Sequence, residues 1–342
     1  MIQIEQATIA KFIYHPFKIE DTQNHVNKTL YEYKNDQEQE VLNKIFLKPF
    51  LSSYATHQFT HEINLDYNPL YNIAESIHSD SDFIQNSELI YKHLKSVSKH
   101  PNIKDGDLFI IQFEGIIFNN KTYKALGIYK SENKENFITT KHNSSANSTI
   151  SFKKGIGSKK LEKGCLILFT DKPYTILIID NAKIETDYWQ NEFIKLQLKK
   201  DNVNDTSQFL TITKTFVTQQ FPEEFDTNKA DQIDLLNRSV EYFKNHENFD
   251  KIEFENEVLQ QSEIINSFQN FDKTYRQENQ IDIQDQFSIS TQALKKQERV
   301  FKSVLKLDKN FHIYIHGNRQ LIEQGTEKDG RKYYKIYYDD ES

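Results

Sequence analysis

Hydrophobic positions along the 342 residues change their period near residue 180. Before that point, Ile4, Ala7, Ile9 and Phe12 recur among polar residues over 2–14, as in a strand. Gln37 to Leu51 has helical spacing, with Val41, Leu42 and Ile45 on one side and Pro49 near the end. Phe83, Ile90, Leu94 and Val97 predict a second helix, with Ser79 and Asp82 as a capping box and His100-Pro101 as its stop. Asp105-Gly106-Asp107 then opens a series of short strand-like runs: 108–113, 121–129, 137–140, 165–169 and 174–179. Close spacing and tight turns predict a largely antiparallel sheet. The runs at 108–111 and 176–179 are continuously apolar, which places them in the middle of it. Asn143 to Ser148 reads as a loop.

Beyond Asp180 the spacing becomes helical. Thr186 to Lys199 carries Trp189, Phe193, Leu196 and Leu198, and Ser207 to Gln220 carries Phe209, Ile212, Phe216 and Val217. Asp226-Thr227 offers a cap for a third helix, in which Ile233, Leu236, Val240 and Phe243 recur at 3, 4, 3. Glu253 to Tyr275 continues helical, and Gln292 to Leu307 predicts a last helix. Phe311 to Gly317 alternates as a strand, with Phe311, Ile313 and Ile315 opposite His312, Tyr314 and His316. Asp329-Gly330 is a hairpin signal before another alternating run, 332–338. The pattern predicts an α+β protein of two domains. Residues 1–183 form a mixed α/β domain with a largely antiparallel sheet, and 184–342 a helical domain ending in a basic strand hairpin.

Composition narrows the function classes. The net charge of −7 excludes a uniformly basic nucleic-acid coat. The charge is, however, uneven. Residues 221–290 hold sixteen acidic against six basic side chains, whereas 295–335 hold eleven basic against five acidic. A second basic cluster, Lys153, Lys154, Lys159, Lys160 and Lys163, surrounds Gly155-Ile156-Gly157 and meets only Glu162. The single Cys165 lies in an apolar run and reads as a buried small hydrophobe; one cysteine forms no internal disulfide, which agrees with a reducing cytoplasm. The N-terminus lacks the pattern of a signal peptide, and no apolar run approaches the ~20 residues that span a membrane.

No catalytic signature stands out. Gly155-Ile156-Gly157-Ser158-Lys159-Lys160 resembles a phosphate loop, but one residue separates its glycines where a P-loop has four. Two readings remain, a basic glycine loop against a phosphate backbone or a solvated hairpin turn. His57 and His61 stand four apart, but Gln58 occupies the place of the zinc-protease Glu, and on one strand face the rings are too far apart to share a metal. The His312/Tyr314/His316 face can stack on bases or pack beneath a helix or second subunit. On the last helix, Lys295, Arg299, Lys302 and Lys306 recur at 4, 3, 4 with Lys296 beside them. That row either follows a phosphate backbone or forms a solvated face. No cofactor or metal is implied.

Several stretches carry a family resemblance: 209–214, Asn228-Lys229-Ala230-Asp231, 235–243, 287–289 and 306–315. With the order of elements, they resemble the bacterial nucleoid-associated proteins of the NdpA type. The resemblance covers Phe209 to Ile315 best and implies a cytoplasmic, nucleoid-located, non-enzymatic protein. It further implies association with double-stranded DNA without strong sequence preference, as a homodimer, alone or through nucleoid protein partners. The ten basic residues named above are the expected DNA contacts. The rival readings are an interaction module whose acidic helical middle binds a basic partner protein, and an enzyme with dispersed carboxylates.

Overall fold

The computed structural model describes residues 2–20, 25–52, 55–142, 148–157, 161–181, 188–301, 304–314 and 321–340, without the side chains of Arg299 and Val300. The protein is α+β. Contacts divide it into two compact units, Met1–Lys199 and Lys200–Ser342.

The first unit is built on strands β1 (Ile2–Gln3) and β2 (Thr8–Phe17), helix α1 (Asp36–Phe46), and strand β3 (His57–Phe59). Helices α2 (Pro69–His78) and α3 (Phe83–Val97) follow, then strands β4 (Gly106–Phe118) and β5 (Lys121–Ser131). A hairpin of β6 (Glu135–His142) and β7 (Ser148–Gly155) precedes β8 (Lys163–Leu168), β9 (Thr175–Asp180) and β10 (Leu196–Leu198). The main sheet runs β1-β4-β5-β8-β9-β3-β10, with β2 also on β4, and every pairing is antiparallel. The apolar runs at 108–111 and 176–179 are interior strands, as their composition predicts.

Their continuity has a physical cause: both sheet faces are covered. Alternate residues such as Ile110, Ile128, Cys165 and Ile167 pack with Leu70, Ala74, Ile90 and Leu94 of α2 and α3. Their neighbours Ile111, Leu166, Leu168 and Leu177 pack with Phe46, Leu47 and Phe50 on the other side. Cys165 is fully buried, and burial pushes its thiol far above the ordinary range, so it is unreactive filling.

Several boundaries differ from the sequence reading. Helix α2 was not anticipated. Asn68 caps it by accepting from the Tyr71 N–H at 3.0 Å, while its amide donates to the Thr60 and Ile194 carbonyls, each at 3.0 Å. Ser79 is the C-cap of α2 rather than part of a capping box; Asp82 alone caps α3, accepting from Ile84 and Gln85 N–H. The helix expected over 186–199 is one π-helical segment, Tyr188–Ile194, that buries Trp189 and Phe193. It is followed by Lys195 at φ 55° and then β10, because Leu196–Leu198 completes the sheet edge on β3.

The second unit contains α4 (Asn202–Thr215), α5 (Phe221–Glu224), α6 (Lys229–Asn245), β11 (Asn248–Asp250), α7 (Lys251–Phe254) and α8 (Ser262–Glu278). Then come β12 (Gln286–Ser288), α9 (Thr291–Val300), β13 (Val304–Leu307), β14 (Phe311–Tyr314), β15 (Ile322–Thr326) and β16 (Lys332–Ile336). Its core is aromatic: the Phe209 ring lies 4.2 to 6.1 Å from the rings of Phe243, Phe249, Phe254 and Phe268. Pairs at such separations add to what area burial alone supplies. The cap of α6 is Asn228, not Asp226-Thr227. Asn228 accepts from Ala230 and Asp231 N–H while Asp231 accepts from the Asn228 N–H at 2.8 Å, a reciprocal box.

The last helix ends at Val300 instead of Leu307. Residues 304–307 form β13, which pairs with β14 and places Leu305 against Ala230 and Ile233 of α6. Burying Leu305 that way requires a strand. Lys306 therefore leaves the helical stripe expected for it.

His15 supplies a pH test of the first unit. It is buried, takes the Asn27 N–H on Nδ1 at 3.1 Å and pairs Nε2 with the Ser87 hydroxyl at 3.0 Å, an arrangement suited to the neutral ring. Burial lowers its pKa from 6.5 to about 4, with Glu88 opposing and Lys28 assisting. The unfolded chain thus takes up a proton that the folded one refuses. The contribution is complete above 6.5 and lost as pH falls toward 4, at most about 3 kcal/mol. Urea unfolding across this window should show a falling midpoint that His15→Gln flattens.

Candidate nucleic-acid interface

The β6–β7 hairpin leaves the main sheet between β5 and β8 and, among the described residues, pairs only with itself. Its register runs from Glu135 opposite Gly155 to His142 opposite Ser148. Alternation gives the ribbon two unlike faces. One combines Ile138, Phe152 and Ile150, exposed by 60%, 78% and 66%, with Lys154 and His142. The other carries Lys153, Lys141 and Phe137 around a Thr139–Ser151 hydroxyl contact of 2.6 Å. Cations dominate the described strands, Lys141, Lys153 and Lys154 against Glu135 alone.

Gly155 and Gly157 have a packing role. A Cβ on Gly155 would stand 2.7 Å from the Phe137 ring, and one on Gly157 would stand 2.9 Å from the Glu135 carboxylate. The glycines let the ribbon's own side chains close over its base. Lys159 and Lys160 lie outside the described residues.

Lys163 is a correction. It is 1% exposed and faces its cross-strand partner Lys130, which is 0% exposed. Lys163 Nζ contacts Asp180 Oδ1 at 2.7 Å. Lys130 Nζ contacts Glu132 Oε1 at 2.6 Å and donates to the Lys104 carbonyl at 2.7 Å. Both ammonium groups approach the Tyr188 ring, at 5.9 Å for Lys130 and 5.0 Å for Lys163. Burial lowers the Lys130 pKa, and Glu132 pulls it back. Beside this row, Glu162 accepts from the Ser131 hydroxyl at 3.2 Å and from the Asn133 amide at 3.0 Å. Lys163 and Glu162 root the ribbon and do not line its surface. Sequence proximity to the cluster concealed this, because the alternation that buries Lys163 is set by β8.

In the second unit, Lys295 and Lys296 are exposed on α9 while Ala293 and Leu294 turn inward. Lys306 is exposed on β13. Lys302 and the side chain of Arg299 lie outside the described residues, as does His316. His312 and Tyr314 are exposed on β14. His57 stands in β3, but His61 lies beyond its end and stacks on Tyr67 with ring centres 5.9 Å apart, so the two rings do not share a strand face.

The family model described as "Nucleoid-associated protein YejK" matches residues 13–342, nearly the whole chain. The chain belongs to this family. A search of the curated proteins gave no match. The match includes both the ribbon and the terminal hairpins, so neither is an appendage foreign to this nucleoid-associated family. Among the described residues, no helix is long and apolar enough to cross a membrane.

The division between root and surface is measurable. Lys163→Ala leaves Asp180 without its cation in a largely dry site and should cost about 3–5 kcal/mol of unfolding free energy. Lys153→Ala on the exposed ribbon should stay within about 0.5 kcal/mol. Urea denaturation of the two variants beside the wild type checks both values.

Proposed function

We propose that this protein is a non-enzymatic component of the bacterial nucleoid that binds double-stranded DNA without strong sequence preference, with the β6–β7 ribbon as its principal contact. The observation that carries the reading is the ribbon itself, two exposed strands bearing Lys141, Lys153 and Lys154 on a chain of net charge −7. An acidic protein is repelled by DNA at long range. At ~0.1 M salt that repulsion is screened beyond about 10 Å, so a projecting basic element can act locally. A two-stranded ribbon fits the major groove, which is about 12 Å wide. Lysines contact phosphate as point charges and fix position without reading bases. Ile138, Ile150 and Phe152 supply an apolar surface for sugars or an opened base step. Membership in a nucleoid-associated family supports the same reading.

Lys295 and Lys296 on α9 and Lys306 on β13, all exposed, are the rival contacts on the second unit. The proposed dimer uses the terminal hairpins, where Phe311, Tyr314, Tyr333, Tyr337 and Tyr338 are all exposed. Aromatic residues are enriched at interfaces, and a two-stranded sheet leaves its outer edges open to pairing.

Two measurements follow. Fluorescence anisotropy on duplex DNA should give a log K against log salt slope of about −4 to −5. Lys153→Glu with Lys154→Glu should flatten it by about two and weaken binding alike on unrelated sequences. If Lys295→Glu with Lys296→Glu has that effect instead, the contact belongs to the second unit. Absence of binding at low salt would favour the partner reading, in which the acidic 221–290 stretch docks a basic protein. In light scattering at micromolar concentration, the protein should show twice its 40.5 kDa chain mass. A monomer mass would remove the dimer.

A further inference from the structure

Among the described residues, three ligand-type side chains converge at the junction of α6 and α7, far in sequence from either lysine cluster. His246 follows the last turn of α6, and Glu253 and Glu257 lie one helical turn apart on the segment that begins with α7. One ligand atom from each lies within 4.8 Å of the others. His246 Nε2 stands 3.9 Å from Glu253 Oε1 and 3.8 Å from Glu257 Oε2.

The outer partners sharpen the meaning of this cluster. His246 Nδ1 lies 2.9 Å from the Tyr242 carbonyl, which can only accept, so the Nδ1 proton is committed there. In the neutral ring, Nε2 therefore presents a lone pair toward two carboxylates. The Tyr242 hydroxyl donates to Glu253 Oε2 at 2.9 Å and so turns Oε1 toward the histidine. The Tyr242 and His246 rings stack with centres 4.2 Å apart, which fixes the imidazole plane. Among the described residues, no lysine or arginine ion-pairs with Glu253 or Glu257; each lies within 4 Å of His246 Nε2. Two carboxylates and an imidazole lone pair thus face a common point.

We infer that His246, Glu253 and Glu257 bind a first-row divalent cation of the zinc type. An imidazole held by a backbone carbonyl, with a ligating carboxylate held by a hydroxyl, is the outer-shell arrangement such ions use. One nitrogen and two carboxylate oxygens suit zinc and its neighbours better than calcium or magnesium, which prefer all-oxygen sets. Separations of 3.8 and 3.9 Å are slightly wider than a bound ion requires. Both glutamates are exposed at the surface, so rotation about their side-chain bonds closes the gap without moving backbone. Three protein ligands leave a position for water. The bound ion would clamp the C-terminal end of α6 to the following helix, over the core that contains Tyr242 and Phe254.

Isothermal titration of the chelator-treated full-length protein with zinc chloride tests the site. The expected result is one zinc per chain, with a thermal midpoint that rises as zinc is added, because an ion that binds only the folded state stabilises it. Glu257→Gln changes one exposed side chain and should weaken binding at least tenfold while leaving the zinc-free midpoint unchanged. Tyr242→Phe should weaken it about 10–100-fold through the lost carboxylate support. Cobalt in place of zinc should give visible ligand-field bands that disappear in His246→Gln. Equal zinc binding by wild type and Glu257→Gln would place the ion at other histidines and overturn the assignment, as would the absence of saturable binding.

Discussion

Two lysines facing each other across β5 and β8, both removed from solvent, set the constraint on which the first unit's chemistry depends. Lys130 and Lys163 are register partners, so their like charges are brought together by the same ladder that aligns the sheet. Such a pair survives burial only when each ammonium has its own counter-charge. Glu132 supplies one from the turn into the ribbon and Asp180 the other from β9. The Tyr188 ring accommodates both cations. The ribbon therefore springs from a fixed base, because Glu132, which neutralises Lys130, lies just before β6, and Lys163, which Asp180 neutralises, opens β8 after β7.

The surface and the interior use cations in opposite ways within about ten residues of chain. Lys153 and Lys154 have no buried apolar neighbours to hold them and remain in solvent, while Lys163 enters a strand whose every residue is buried. Grouping all of them as one basic cluster reflects sequence distance alone. A strand's burial is decided by its neighbours in the sheet, and β8 lies between β5 and β9, beneath helices on both faces.

Elements with a strong internal period were legible from the sequence. Ile233, Leu236, Val240 and Phe243 mark α6, and the apolar runs of β4 and β9 mark interior strands, because local pattern and tertiary burial agree there. Helix α2 was legible too: Asn68, Pro69 and the apolar set Leu70, Ile73, Ala74 and Ile77 are a complete signal that the strand-like reading of the preceding residues obscured. The strand at 304–307 was not legible. Val304-Leu305-Lys306-Leu307 continues the helical spacing of α9, and the extended form is selected by pairing with β14 and by the burial of Leu305 against Ala230 and Ile233, more than 70 positions earlier in the chain. Of the candidate site, the lysines could be found from composition, but the ribbon that presents them depends on β6 and β7 being excluded from the main sheet. Likewise, His246, Glu253 and Glu257 form no recognised spacing; the turn between two helices brings them together.

The ribbon's isolation from the main sheet has a colloidal consequence. Both of its outer edges carry backbone donors and acceptors with no strand beside them among the described residues, and one face holds Ile138, Ile150 and Phe152. Such an edge is a template for pairing with an identical copy. Lys141, Lys153 and Lys154 oppose this, since two ribbons brought edge to edge would juxtapose like charges. Salt screens that repulsion, so raising the ionic strength lowers the barrier to strand addition between neighbouring molecules. The lysines thus act as gatekeepers against fibre-like growth, and their effectiveness falls as ionic strength rises.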